Sequence, residues 1–148
     1  MPVDVTTSIV INRSYDDVAA YAADPENAPD WYVNITSARW RTAPPLAVGS
    51  EFDFVAEFLR RQLTYTYRVT ELVPGRTMTM STAQGPFPMS TTYTWDALSP
   101  TSTRMWLRNH GSPRGFARLL SLLMPMAVRR ANRKDLARLK QVLEQPAR

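Results

Sequence analysis

Cysteine is absent from this chain of 148 residues, and histidine occurs only once, at His110. Without cysteine the chain cannot form a disulfide, a thiolate metal site, an iron–sulfur cluster or a cysteine nucleophile. A single histidine excludes a zinc site built from several histidines of this chain. Because the acidic residues are scattered rather than spaced as a metal-binding loop, we predict no specific metal site and no cofactor.

Long apolar runs are also missing, since none approaches the roughly 18 residues that cross a membrane. The N-terminal segment MPVDVTTSIVINRS has no basic start and no uninterrupted apolar stretch, so it does not resemble a secretory signal. Nucleotide-binding glycine motifs and the G-x-S-x-G nucleophile elbow are absent as well. We therefore expect a cytoplasmic protein formed by one domain over residues 1–148.

The formal net charge of +5 comes from the C-terminal part of the chain. Residues 113–148 contain nine Arg or Lys against two acidic residues, whereas residues 1–112 contain nine against eleven. A basic helix could contact an anionic membrane or a nucleic acid. The basic residues lack interleaved aromatic residues and form no DNA-binding motif, so we expect no nucleic-acid partner and at most a weak membrane contact.

The first 31 residues predict a strand followed by two short helices. Residues 3–11 are rich in β-branched side chains, which favours a strand. Ser14 is a capping residue for a helix from Tyr15 to Ala23. Asp24-Pro25 ends that helix and begins a second, shorter one that closes near Trp31.

Residues 35–109 alternate apolar and polar side chains in short runs separated by proline and glycine turns. This pattern predicts six antiparallel strands. In the clearest run, Phe52 and Phe54 alternate with Glu51 and Asp53. We expect the phenylalanines to face the core and the carboxylates to face solvent.

From Ser112-Pro113 onward the apolar period becomes about 3.6 residues, which predicts a long C-terminal helix. The apolar residues before and after Pro125 lie on faces that differ by roughly 130–140°. A proline inside a helix removes a hydrogen bond, so we predict a bend or break at Pro125.

Several short motifs occur in an order that carries more information than any one of them. They are Ser14–Val18, Asp24-Pro25 with Trp31, Val48-Gly49, YRVTELVPG at 67–75, Gly85-Pro86-Phe87 and residues 135–144. This order resembles the START-like (helix-grip) SRPBCC superfamily, and within it the polyketide cyclase/dehydrase and lipid transport family. The expected fold is α+β, with a curved antiparallel sheet of about seven strands wrapped around the long C-terminal helix and two short helices after strand 1.

The resemblance implies a cavity between the sheet and the C-terminal helix that holds a hydrophobic small molecule. It implies no single reaction, since members of the superfamily include carriers, sensors and cyclases. The candidate lining residues are Trp31, Phe52, Phe54, Phe58, Tyr65, Tyr67, Met78, Met80, Tyr93, Trp95, Met105, Phe116, Leu120 and Met124. Without the resemblance the same apolar faces would indicate an ordinary packed core. Trp31 is either a gate at the cavity mouth or an anchor for its helix.

Three functions remain open from the sequence. The first is binding of a hydrophobic or amphipathic molecule of lipid, polyketide or aromatic type. The second is an enzyme of the cyclase/dehydrase type, which would need a polar pair inside the cavity. The third is an interaction protein that uses the basic helix. No residue is assigned a catalytic role, because Glu51, Asp53, Glu57 and His110 are expected at the surface.

The bend and the segment before Pro125 have three possible roles. The bend would let residues 113–125 form part of the cavity entrance, with Trp31 and the Gly85-Pro86 turn. Alternatively, the bend only fits the helix to the core, or the same residues form an apolar patch that pairs with a second subunit. Both a monomer and a homodimer therefore remain open.

Overall fold

The N-terminal elements are a strand and two helices, as predicted. In the computed structural model, which describes residues 3–58, 60–82, 88–111 and 124–145, strand β1 (Val3–Ile11) precedes helix α1 (Tyr15–Ala23). A 3₁₀ turn (Pro25–Asn27) then leads into helix α2 (Ala28–Trp31). The Ser14 hydroxyl accepts a hydrogen bond from the Asp17 N–H at 3.4 Å, which caps α1.

Seven antiparallel strands form a single sheet. The six that follow α2 are β2 (Ile35–Trp40), β3 (Glu51–Phe58), β4 (Arg61–Val73), β5 (Thr77–Thr82), β6 (Met89–Ser99) and β7 (Ser102–Gly111). The spatial order is β1-β7-β6-β5-β4-β3-β2, so β2 to β7 form a meander and β1 pairs with its last strand. β1 has the predicted bounds of residues 3–11, and the six strands of the meander begin at the predicted residue 35 and end two residues beyond the predicted residue 109.

The turn between β4 and β5 shows how a local motif sets the register. The Arg76 N–H donates to the Val73 carbonyl at 2.9 Å, with Pro74 and Gly75 between them. Gly75 has a φ of +75°. Proline followed by a residue with positive φ is typical of a type II turn, and glycine adopts that φ without a steric penalty.

The inward face of the sheet is the one that the alternation predicts. Phe52 and Phe54 are only 1% and 3% exposed, whereas Glu51 and Asp53 point to the opposite face and are half-buried. Asp53 accepts a hydrogen bond from the Thr66 hydroxyl at 2.6 Å on that outer face. The predicted register is therefore confirmed.

The C-terminal helix α3 (Met124–Glu144) packs against β1, α2 and the apolar face of the sheet. Its 21 residues correspond to a length of about 30 Å. Leu136, Leu139 and Leu143 on its inner face are buried. Pro125 lies in the first described turn of α3, and residues 112–123 lie outside the described residues. The bend at Pro125 therefore stays a prediction.

The outer face of α3 is basic, and some of its cations bind backbone. Arg138 Nε donates to the Asp30 carbonyl at 2.9 Å, and Lys140 Nζ donates to the Val10 carbonyl at 2.9 Å. These bonds fasten α3 to α2 and β1. Within the described segments, no helix is both long enough and apolar enough to cross a membrane.

Candidate functional site

A cavity of about 230 Å³ lies between the inward face of the sheet and the N-terminal half of α3. It is lined by Tyr32, Ile35, Phe54, Ala56, Tyr65, Tyr67, Met80, Met89, Thr91, Asn109, Val128, Ala131 and Asn132. None of these described lining residues carries a charge. The lining thus combines apolar side chains with neutral hydrogen-bonding groups, which suits an uncharged organic molecule.

The register of the sheet brings the lining residues together. Phe54 on β3 lies opposite Tyr65 on β4, and Thr91 on β6 lies opposite both Met80 on β5 and Asn109 on β7. Directly opposed residues on antiparallel strands place their side chains on the same face of the sheet, about 4.5–5.5 Å apart. Ile35 on β2 lies opposite Ala56 on β3 and extends the wall, so the period-two pattern contributes lining residues from six strands.

A row of buried polar side chains crosses this wall and reaches α3. Thr91 Oγ1 donates to Asn109 Oδ1 at 2.5 Å, and Asn109 Nδ2 donates to Asn132 Oδ1 at 2.9 Å. The three residues are 4%, 8% and 4% exposed. Asn132 Nδ2 is buried and has no hydrogen-bond partner among the described residues. Leaving a buried donor unpaired costs roughly 1–3 kcal/mol.

The tyrosines of the cavity are held in their neutral form. Burial raises the pKa of Tyr67 to about 12, and the neighbouring Tyr65 adds to this rise. Burial also raises the pKa of Tyr65. Tyr32 shares a short hydrogen bond with the Tyr93 hydroxyl, and burial raises its pKa well above the usual range. At neutral pH these hydroxyls act as hydrogen-bonding groups rather than as bases.

Asp135 lies beside the cavity but does not line it. It borders an adjoining pocket of about 220 Å³ together with Val33 and Lys134. Asp135 Oδ1 accepts a hydrogen bond from the Val33 N–H at 2.9 Å, which ties α3 to the turn after α2. Burial raises the pKa of this carboxyl to about 6, although the Val33 bond and Arg138 favour its charged form. Asp135 can therefore take up or release a proton just below neutral pH.

A larger and more open groove of about 690 Å³ lies between α1, the loop before β3 and the β4–β5 turn. Its lining includes Trp40, Leu46, Leu72 and Trp95. The sequence places Trp95 in the cavity, but in the structure this side chain lines the groove. The reason is that Trp95 lies two residues beyond Tyr93 along β6, toward the end of the sheet covered by α1.

Some of the predicted lining residues reach the cavity and others do not. Phe54, Tyr65, Tyr67 and Met80 line it. A second set of predicted lining residues lies in the buried core and is not among the described residues that line this cavity: Trp31, Phe52, Met78, Tyr93 and Met105. Phe116 and Leu120 lie outside the described residues, as do the side chains of Phe58 and Met124.

This placement has a physical reason. The first two helices and the leucines of α3 share the buried core with the middle of the concave face, so among the described residues the cavity is confined to the part near the start of α3. Trp31 is fully buried, with its ring centroid 4.1 Å from that of Tyr32 and 5.7 Å from that of Tyr93. These contacts tie α2 to the core, and the role of Trp31 as a gate stays a prediction.

The sequence prediction missed the polar row, although a signal for it exists. Thr91 shares the inward face of β6 with Tyr93, and Asn109 shares that of β7 with Leu107. Asn132 lies four residues before Leu136 on the apolar stripe of α3. A polar residue at an otherwise apolar position is therefore the signal. As for metals, no three His, Asp or Glu side chains of the described residues come together as ligands.

Comparison with known proteins agrees with this architecture. The model of a family described as polyketide cyclase / dehydrase and lipid transport matches residues 2–144. No curated protein sequence matches significantly. The solved Zhui aromatase/cyclase from a Streptomyces species has a TM-score of 0.81 and 16% identity over 97% of this chain and 94% of its own. A START superfamily protein from Mycobacterium smegmatis has a TM-score of 0.72 and 16% identity over 94% and 98%.

A third solved structure is longer than this chain. The di-domain aromatase/cyclase BexL has a TM-score of 0.77 and 18% identity over 93% of this chain, but only 45% of its own length is covered. This chain therefore spans less than half of that protein. At identities this low, the likeness establishes a shared fold but not a shared activity.

Proposed function

Since this chain belongs to the polyketide cyclase / dehydrase and lipid transport family, we propose that it binds a hydrophobic or amphipathic small molecule in the cavity between its sheet and α3. The observation that carries the proposal is the cavity itself. It is lined by aromatic and methionine side chains and by no charged residue among those described. Methionine fits irregular ligands, and tyrosine offers an apolar ring with a polar end.

The volume of the cavity limits the size of the ligand. About 230 Å³ corresponds to roughly eight water molecules at about 30 Å³ each. Pockets for drug-sized ligands have roughly 300–1,000 Å³. We expect a molecule smaller than a typical drug, such as a short-chain or small aromatic compound.

A cyclase/dehydrase activity is the second candidate, and the polar row favours it. On the cavity wall, Thr91 is hydrogen-bonded to Asn109 and Asn109 to Asn132. Such a row would stabilise an oxygen that gains charge during the reaction. Proton abstraction would also need a base, and the only carboxylate described close by, Asp135, borders the adjoining pocket. Binding is therefore the simpler proposal.

The test is to block the cavity and measure binding. Ala131 lines the cavity, whereas Ala137 lies exposed on the same helix. We expect the wild-type chain and Ala137→Phe to bind small aromatic compounds, measured by calorimetry, and Ala131→Phe to lose binding because its ring occupies the site. Equal affinity in all three proteins would contradict binding in this cavity. No binding by the wild-type chain would contradict the proposed function.

A further inference from the structure

The polar row ends in one hydrogen-bond donor that the described residues leave unused. Thr91 donates to Asn109, and Asn109 donates to Asn132. Asn132 is one of the lining residues, and its buried Nδ2 has no partner among the described residues. Each amide in this row accepts through its oxygen and donates through its nitrogen. The donors therefore follow one another from β6 through β7 to α3.

Tyr67 on β4 also contacts the row. Its interaction with Thr91 lowers the Tyr67 pKa and offsets part of the rise that burial causes. Hydrogen bonds in such a chain polarise one another, and a low dielectric strengthens them. The last donor of the row, Asn132 Nδ2, should therefore form a strong hydrogen bond to a ligand oxygen.

The charges around the cavity restrict what that oxygen can be. No Arg, Lys or His is among the described lining residues, and Arg130 and Lys134 border the adjoining pocket instead. A carboxylate or phosphate moved into this cavity would lose its hydration without gaining a cation. A carbonyl or ether oxygen needs no cation, and a neutral donor such as the unused amide of Asn132 satisfies it.

We propose that the cavity selects a neutral ligand with a hydrogen-bond acceptor, most simply a ketone, whose oxygen accepts the free N–H of Asn132. This inference rests on the proposed function and restricts the class of ligands. It assigns Asn132 a role in specificity, and it excludes fatty acids and other anionic lipids as ligands. The apolar part of the ligand packs on Phe54, Met80 and Val128.

Three compounds of nearly the same shape test the selection. They are 2-acetylnaphthalene, 2-isopropenylnaphthalene, which replaces the carbonyl oxygen by a methylene group, and the anion 2-naphthoate. We expect calorimetry on the wild-type chain to show the ketone binding about tenfold more tightly than the alkene. The carboxylate should bind about a hundredfold more weakly than the ketone, or not at all.

The variant Asn132→Leu removes the donor, and Gln141→Leu on the exposed side of α3 is its matched control. Asn132→Leu should bind the ketone and the alkene equally, while Gln141→Leu keeps the tenfold preference. In the folded wild-type chain, the side-chain amide protons of Asn132 should shift in NMR spectra with the ketone and not with the alkene. This readout decides the case even if Asn132→Leu does not fold.

The outcomes separate this inference from the proposed function. Equal binding of ketone and alkene by the wild-type chain, or tighter binding of the carboxylate, would overturn the selection and leave cavity binding intact. Absence of binding for all three compounds would overturn both. A ketone preference that Asn132→Leu retains would also overturn the role of Asn132.

Discussion

At the scale of single residues, burial sets the ionisation of Asp135. Its carboxyl is 6% exposed, and burial raises its pKa from 3.8 to about 6. An acid whose pKa is higher in the folded than in the unfolded state binds more protons when folded. Its contribution to the free energy of unfolding therefore decreases as pH rises from about 4 to about 6 and then stays constant.

The variant Asp135→Asn tests whether the contribution of Asp135 to the free energy of unfolding decreases as pH rises. Asparagine keeps an oxygen for the Val33 N–H but does not ionise. Relative to the wild-type chain, we expect little change in stability near pH 4 and a gain of roughly 3 kcal/mol above pH 7, from about two pKa units. Urea unfolding across this pH range measures the difference.

Asp4 provides the control, because the hydrogen bond from Arg108 lowers its pKa instead of raising it. Asp4→Asn should therefore change stability with the opposite dependence on pH. Parallel curves for the wild-type chain and Asp135→Asn would contradict the account of a carboxyl whose charged form is opposed by burial.

Residue-level prediction from sequence succeeded where a local rule applies. Ser14 before a helix and Pro74-Gly75 between strands have fixed backbone requirements that hold in any protein. Asn132 obeys no such rule. Its partner Asn109 lies 23 residues away, and only the packing of α3 on the sheet brings the two amides together.

At the scale of elements, α3 is held by its apolar stripe. Leu139 is fully buried in the core between α3 and the sheet, whereas Met126 on the same helix is 72% exposed. A buried leucine contributes both the transfer of its surface from water and the filling of its volume. The attachment of the helix should therefore depend on the inner face far more than on the outer one.

Truncating each side chain to alanine compares the two faces. Leu139→Ala should lower the free energy of unfolding by roughly 2–5 kcal/mol, and Met126→Ala should change it by less than about 0.5 kcal/mol. Denaturant unfolding of the two variants provides the measurement. A loss of similar size in both would mean that α3 packs in a different orientation.

The elements themselves were predictable because each has a clear period. Alternation places Phe52 and Phe54 inside, and the 3.6-residue period places Leu136, Leu139 and Leu143 inside. These periods predict which face of an element is buried, but they do not predict which other elements pack on that face. The prediction therefore assigned Met78 and Met105 to the cavity, although other elements pack on them.

At the scale of the whole molecule, the fold divides its concave side into a packed part and an open part. The order of the elements along the chain, and the resemblance to helix-grip proteins that rests on it, predicted the architecture of one sheet packed on one long helix. The division between core and cavity depends on how far the two short helices extend over the sheet. No periodicity encodes that distance.

The cavity beside α3 and the groove beside α1 are separate concave surfaces, and either could hold a ligand of this size. The groove is the larger of the two. The cavity is the better candidate for the ligand-binding site, because its wall carries a buried polar row with an unused donor. Which surface a bound compound occupies is therefore the central question.

Intermolecular NOEs between 2-acetylnaphthalene and assigned methyl groups answer it most directly. Met80 and Val128 line the cavity, whereas Leu46 and Leu72 line the groove. We expect NOEs from the naphthalene protons to the methyl groups of Met80 and Val128 and none to those of Leu46 and Leu72. NOEs to the two leucines alone would contradict the account and place the ligand in the groove.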